Sequence, residues 1–464
     1  MRIVFTTVLL VLSAVATALS VSLLPFYNSK SHDFQPLPLI TIGLWALFAL
    51  SLLCLRGVRG PGVTGRASVV LVLVGSLAIG VAAMAGPPNT STDSARYAWD
   101  GIVQNAGISP YTYVPSDPAL EELRTDWLFP APVDGECVGE RIMSVDEPGT
   151  GDLVCTAINR ATVPTIYPPA SELVFAGLRF FTGDQAQYWP SQLLGLLVSL
   201  GVTVLLLRAL ATSGRDPRWA AVWGWSPLVA TEGITNSHID IVSALLLLVA
   251  SLLVASGRRW AGGIALGASI ATKLIPVIGA PALLGRRPFR VIVASVAVFL
   301  VLYIPYVIAD GIQVLGYLPG YLSEEGYETG TRFILLSLVA PGSASLVLAA
   351  LLVAATGALV WWKTDPANPW LGQLVMIGVT LLVVTPRYPW YALLLVPMIA
   401  MTGRWEWLAV PVALTERLLT PSVDLARLTV AVAIVFIVVM SIRRAGWVII
   451  TPKEKPRDSA KAVT

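Results

Sequence analysis

The chain has 464 residues, 55% of them hydrophobic and only 13% charged, with a net charge of +3 and a mean hydropathy of +0.74. A soluble globular domain carries about 25% charged residues, so this composition excludes a water-soluble protein and implies a surface that mostly faces hydrocarbon. The small positive excess does not point to nucleic acid, because Lys and Arg fall in short loops between apolar runs, where the positive-inside rule places them.

Residues 1–86 predict three membrane helices, near 3–24, 37–54 and 67–86. The first follows Arg2 but lacks a clear small-residue cleavage site, and further spans follow at once, so it reads as a retained helix and not a signal peptide. With the N-terminus inside, Arg56, Arg59 and Arg66 fall on the cytoplasmic side.

Residues 87–189 break the apolar pattern with 14 Asp or Glu, half of the 28 in the chain, against 5 Arg and no Lys. That balance places the stretch outside the cell, held at the bilayer surface by spans on both sides. It opens on STDSARYAWDG, which groups Asp93, Arg96, Tyr97, Trp99 and Asp100. A carboxylate there is positioned to meet a lipid-borne substrate, although Asp93 is equally placed to cap a helix beginning near Ser94. Cys137 and Cys155, 18 residues apart, form a predicted disulfide in an oxidising compartment. The acidic, Gly- and Pro-rich stretch from Glu121 to Thr162 is expected to cover the site.

From 190 to 442 the apolar runs resume, bringing the expected total to about 12 to 14 spans, and 443–464 reads as a basic cytoplasmic tail containing KEKPRDSAK. The 260–284 run has arginines at both ends, so it is either one span or two short helices meeting near Lys273 and Pro276. Polar groups gather at span ends expected to face outward. IYPPASE supplies Tyr167 and Glu172, and TEGITNSHID supplies Glu232, Asn236, His238 and Asp240. ATKLIP places Lys273 inside an apolar run, Arg332 follows SEEGYETGT, and TPRYPWY carries Arg387, Tyr388, Trp390 and Tyr391. Ionisable groups within a membrane are costly and mark functional sites. Cations suit a phosphate, aromatic faces a sugar, and a groove between spans a lipid tail. Each has a plainer alternative: snorkelling for Lys273 and Arg387, an interfacial belt for the aromatics, a span-end hydrogen bond for His238.

The run D-x-x-R-Y-x-W-D-G from Asp93, followed by N-A-G-I-S-P-Y ending at Tyr111 and Y-x-P at Tyr113, resembles the first outer loop of GT-C glycosyltransferases. More narrowly it resembles the bacterial polyprenyl-phosphate-mannose-dependent mannosyltransferases. INRATVPTIYPP, NSHID, ATKLIP and PRYPWY follow in the same order, so the resemblance spans about residues 87 to 400. Relatives often carry a paired acid where this chain has Thr92-Asp93, which leaves both Asp93 and Asp100 as candidates for the base.

The resemblance implies an all-α polytopic membrane protein, GT-C-like, with a catalytic first outer loop. It implies inverting transfer of a sugar, mannose first, from a polyprenyl-phosphate donor to a hydroxyl of a glycolipid, lipoglycan or secreted protein. The reaction would take place on the outer face of the plasma membrane of an actinobacterial-like cell. The catalytic residues would be Asp93, Asp100 and His238, with Lys273, Arg387, Arg96 and Arg332 on the donor phosphate. Tyr97, Trp99, Tyr111, Tyr167, Asn236, Asp240, Tyr388, Trp390 and Tyr391 would contact sugar or acceptor. No cofactor is expected, and no metal, since Asp93 and Asp100 lack the one-residue DxD spacing of metal–nucleotide sites. The rival class is a secondary transporter or lipid-linked-sugar flippase, which also has many spans and helix breaks. It is disfavoured because no internal repeat relates the halves and the polar residues gather at one face.

Overall fold

A computed structural model describes residues 2–28, 31, 33–56 and 65–450; Arg59 and the KEKPRDSAK tail lie outside the described residues. The first two helices, α1 (Arg2–Leu23) and α2 (Leu37–Arg56), pack on each other, and α3 (Arg66–Ala82) packs on α1. Large apolar side chains such as Val4, Phe5, Leu39 and Leu53 are exposed on α1 and α2. Such surfaces suit lipid, in which every backbone group must be satisfied within the helix. The polar insert follows, with α4 (Asp93–Asn105) and a hairpin of β1 (Met143–Asp146) and β2 (Leu153–Thr156), Ser144 opposite Cys155. It ends in α5 (Pro169–Thr182), which leads to α6 (Trp189–Thr212).

The membrane part continues through α7 (Asp240–Ala255), α8 (Arg259–Thr272), α9 (Phe289–Asp310), α10 (Ser343–Lys363), α11 (Trp370–Val384), α12 (Ala409–Leu419) and α13 (Val423–Ile450). Helix α8 lies close against α9 because Gly263 and Gly267 present no side chain. A Cβ on Gly267 would come within 2.4 Å of Ser295 O. This is the small-xxx-small contact by which membrane helices approach closely.

The protein is all-α and polytopic. Among the described residues six helices are long and apolar enough to cross a membrane, or seven if the π-helical turn Val229–Thr235 and α7, bent by 112°, count as one span. That is fewer than the 12–14 spans expected from hydropathy. Part of the difference is helix length, since α3 has 17 residues, α8 has 14 and α11 has 15, and part lies in segments such as 219–231 and 389–402, where Pro227, Pro389 and Pro397 interrupt the hydrogen-bond ladder. These segments form short α, 3-10 and π turns whose Trp223, Leu228, Leu394 and Met398 are buried in the protein core. Non-helical backbone is tolerated at membrane depth when protein surrounds it, so apolar character there reports burial and not a span.

The insert has a second core of its own. Helix α4 is covered on two sides: its apolar face of Ala95, Ala98, Trp99, Ile102 and Val103 packs with Leu120, Leu128 and Ile158, while Asp93, Arg96, Tyr97, Asp100 and Gln104 form the opposite, mostly polar stripe at helical spacing. That stripe meets α5, and Gly101 allows the approach, since a Cβ there would lie 2.4 Å from Phe175 O. Cys137 and Cys155 are joined as a disulfide, with Cα atoms 5.3 Å apart. It ties β2 to the loop before β1.

Candidate active site

Helix α4 begins at Asp93, but the side chain does not cap it. Thr92 is the cap residue without a side-chain bond, and the Asp93 carboxylate turns outward instead. Its Oδ1 accepts from Asn159 Nδ2 at 2.5 Å, and its Oδ2 lies 3.4 Å from His238 Nδ1. The side chain keeps 14% exposure and borders a cavity of about 640 Å³. Burial alone would raise its pKa. The proximity and charge of His238, the charge of Lys273 and the Asn159 hydrogen bond outweigh that and hold the carboxyl well below the usual range.

His238 is fully buried beneath Asp93. Its Nε2 stands 3.3 Å from Glu232 Oε2, so the ring spans two carboxylates, and only the doubly protonated imidazole offers an N–H to each. Its ring stacks on Trp390 at 3.7 Å, and Trp390 on Tyr388 at 4.5 Å. The bend between the π turn and α7 is what aims His238 at Asp93. Ser237 takes a left-handed φ of +50° at the bend, a costly conformation for a residue with a side chain. Asn236 locks the same bend to the insert, its Oδ1 accepting from the backbone N–H of Asn89 and of Thr90 at 3.1 Å each.

Four cations border the cavity, each with its own acid. Lys273 sits where α8 ends and the backbone becomes extended, the break expected near Pro276. Its Nζ is 3.1 Å from Asp240 Oδ2 and lies over the rings of Tyr167 at 5.0 Å and Tyr391 at 5.9 Å. Arg96 pairs with Asp100 at 2.7 Å, and Arg332 pairs with Glu325. Arg160, which the sequence reading missed, pairs with Glu324 through Nη2–Oε1 at 2.6 Å and Nε–Oε2 at 3.0 Å. Arg96 Nη2 and Arg332 Nε are buried without a hydrogen-bond partner.

Of the expected site residues, Asp93, Arg96, Tyr167, Lys273, Arg332, Tyr388, Trp390 and Tyr391 border this cavity. The others do not. Asp100 is buried under Arg96 and accepts from Thr165 Oγ1 at 2.8 Å. Tyr97 stacks on Phe175 at 4.4 Å, and Trp99 meets Phe129 edge-on in the insert core. Tyr111 donates to Tyr167 O at 2.5 Å. Asn236 and Asp240 are buried partners of the insert backbone and of Lys273, so they act through neighbours. Arg387 is exposed and outside the lining. His238, expected as a catalytic residue, does not border it either, so the direct-contact expectation for these eight gives way to buried positions behind the lining for seven and a surface position for Arg387. The physical reason is common to Tyr97, Trp99 and Asp100: α4 is covered on both sides, and only its first turn reaches the cavity. Asn159, Arg160, Glu232 and Tyr321 join the site. Asn159 and Arg160 stand in INRATVPTIYPP, but a lone amide in a polar loop has no distinguishing spacing. Among the described residues no group of three or more His, Cys, Asp or Glu is placed to hold a metal ion.

A family model described as Glycosyltransferase family 87 matches residues 165–386. That segment contains Tyr167, Glu232, His238, Asp240, Lys273 and Arg332 but not Asp93 or Asn159. A curated Mycobacterium tuberculosis protein, a polyprenol-phosphate-mannose-dependent alpha-(1-2)-phosphatidylinositol pentamannoside mannosyltransferase, is 26% identical over 305 residues, covering 61% of this chain and 67% of that protein. No solved structure matches the chain. The chain is a GT-C-like glycosyltransferase and a multi-pass membrane protein.

Proposed function

We propose that this glycosyltransferase moves a sugar, mannose in the first instance, from a polyprenyl-phosphate donor to a hydroxyl of a glycolipid acceptor, with inversion, on the extracytoplasmic face. The observation that carries the reading is one carboxylate, Asp93, bordering the same cavity as Lys273 and an aromatic wall of Tyr167, Tyr388, Trp390 and Tyr391. The mannosyl donor and a glycolipid acceptor are taken from the mycobacterial relative's name. The acid-rich insert that supplies Asp93 supports the outward orientation.

In the reaction the acceptor oxygen attacks the anomeric carbon while its proton passes to Asp93. The bond from that carbon to the phosphate oxygen breaks, and polyprenyl phosphate leaves with the electron pair. One carboxylate suffices, because the phosphate departs as a stabilised anion and needs no general acid of the kind an inverting glycoside hydrolase supplies. Asp93 is a weak base in this setting, which fits an oxocarbenium-like transition state in which the attacking hydroxyl loses its proton late. Donor binding strengthens it: a phosphate that takes up the Lys273 charge removes one of the forces depressing the Asp93 pKa. Lys273, with Arg96 and Arg332, neutralises the developing phosphate charge. Asn159 and His238 fix the carboxylate, and Glu232 and the Trp390 ring fix His238.

The test is purified protein in nanodiscs given polyprenyl-phosphate mannose and phosphatidylinositol mannosides, with the product linkage read by NMR. The reading expects release of polyprenyl phosphate and a linkage of anomeric configuration opposite to the donor's. A product that retains the donor's configuration would remove Asp93 from the role of base.

A further inference from the structure

Beneath Arg96 lies a group of side chains whose protons can be counted. Arg96 Nε is 2.7 Å from Asp100 Oδ1. Thr165 Oγ1 is 2.8 Å from Asp100 Oδ2 and 2.9 Å from Glu172 Oε1. The backbone N–H of Tyr167 also points at Thr165 Oγ1, at 3.3 Å. Glu172 has no exposed surface, and its Oε2 has no hydrogen-bond partner. None of Asp100, Thr165 and Glu172 borders the cavity, whereas Arg96 does.

A threonine hydroxyl has one proton to donate. It cannot donate to two carboxylates, so one of its two carboxyl contacts requires a proton from the partner. Asp100 is held by a guanidinium and is the anion of the pair. Glu172 has no such cation of its own, and a buried carboxylate without a counter-charge is costly. The bonds then run in one direction: Glu172 Oε1–H to Thr165, Thr165 Oγ1–H to Asp100, and Arg96 Nε–H to Asp100. Arg96 Nη1 donates to Val163 O at 3.1 Å, which leaves Nη2 free of protein partners.

We infer that Glu172 carries a proton at neutral pH and, through Thr165 and Asp100, is a positioning residue for Arg96, which rests on the reading of Arg96 as a donor-phosphate ligand. With Glu172 neutral, Arg96 answers to a single acid, and the side chain stays where it borders the cavity. Loss of that proton leaves the single Thr165 hydrogen to serve two carboxylates, so one of the two bonds is lost, and it sets a second negative charge beside Asp100, which draws the guanidinium inward. The groups facing Glu172 are Arg96 and Asp100 of α4, Tyr111 of the insert and Tyr306 of α9. Gln104 of α4 donates to the Glu172 backbone oxygen at 3.3 Å. Burial, then the Asp100 charge, push Glu172 well above the usual carboxylate range, in agreement with the proton count.

Glu172→Gln keeps an N–H for Thr165 and cannot ionise, while Glu172→Ala loses the bond. The inference expects Glu172→Ala to raise the KM for the polyprenyl-phosphate donor by about tenfold and Glu172→Gln to recover most of that loss. Wild-type activity should fall at alkaline pH while Glu172→Gln holds it. Infrared spectroscopy of substrate-free protein at neutral pH should show the carbonyl stretch of a protonated carboxyl in the wild type, missing from Glu172→Gln. Absence of that band from the wild type, or its survival in Glu172→Gln, would overturn the inference. So would identical alkaline limbs in the two proteins, or a Gln variant as impaired as the Ala variant. The infrared result does not depend on turnover, so failure of the functional reading would show in the transfer assay alone.

Discussion

Asp93 combines a short hydrogen bond from Asn159 with the nearby charges of His238 and Lys273, and its pH behaviour follows. A carboxyl with a depressed folded pKa adds stability above its unfolded value, about pH 4, and that stability is lost as pH falls through the lower folded value. The thermal stability of wild type relative to Asp93→Asn should therefore shrink below about pH 4 and hold steady between about pH 5 and 6; at higher pH it also declines as the imidazolium of His238, which faces Asp93 at 3.4 Å, loses its proton. A gap that already shrinks as the pH falls from about 7 to 6 would mean Asp93 titrates near neutrality. His238→Phe keeps a ring for Trp390 but releases Asp93, so kcat should fall about a hundredfold, the scale expected when a reacting group is misplaced by an ångström. A steady-state assay showing less than a threefold change would remove His238 from the site. At this scale the sequence made Asp93, Lys273 and the PRYPWY aromatics legible, because a charge at a span end and a cation inside an apolar run are anomalous there. Asn159 and Arg160 were hidden, since polar residues in a polar insert carry no such contrast. Arg387 had the contrast but faces outward, because backbone direction within a short loop is not written in residue type.

Element packing gives its own tests. The Cys137–Cys155 bond closes a loop of 18 residues, so Cys137→Ser should cost the insert about 3 kcal/mol. Hydrogen exchange should show faster opening of β1 and β2 with α8 and α9 unaffected. Thiol labelling that finds both cysteines reactive in the wild type would refute the bridge. Gly267→Leu must push α9 away, because even a Cβ meets Ser295 O at 2.4 Å. The variant should lower Tm and shift Lys273, which follows α8, so donor affinity should weaken along with stability. An unchanged Tm would show that the α8–α9 contact is looser than described. The break at Lys273 was visible in advance through Pro276, whereas the bend at Ser237 was not. No Gly or Pro marks it, and it exists because Asn236 and the insert backbone hold it in place.

Over the whole molecule, composition alone led to a polytopic membrane fold, since 13% charged residues leave no alternative surface. It did not lead to the number of spans, because hydropathy cannot separate a lipid-facing helix from broken segments buried inside protein, such as 389–402. The site likewise exists only in the assembled chain: Asp93 and Asn159 come from the insert, His238 from the bend before α7, Lys273 from the end of α8 and Trp390 from the turn after α11. The most direct test of this assembly is a paired measurement on Asp93→Asn in nanodiscs, of donor binding and of polyprenyl-phosphate release with a glycolipid acceptor. The account expects donor affinity within a few fold of wild type and release slower by at least about a hundredfold, the usual weight of a general base. Release at the wild-type rate from Asp93→Asn, with Asp100→Asn inactive, would contradict it.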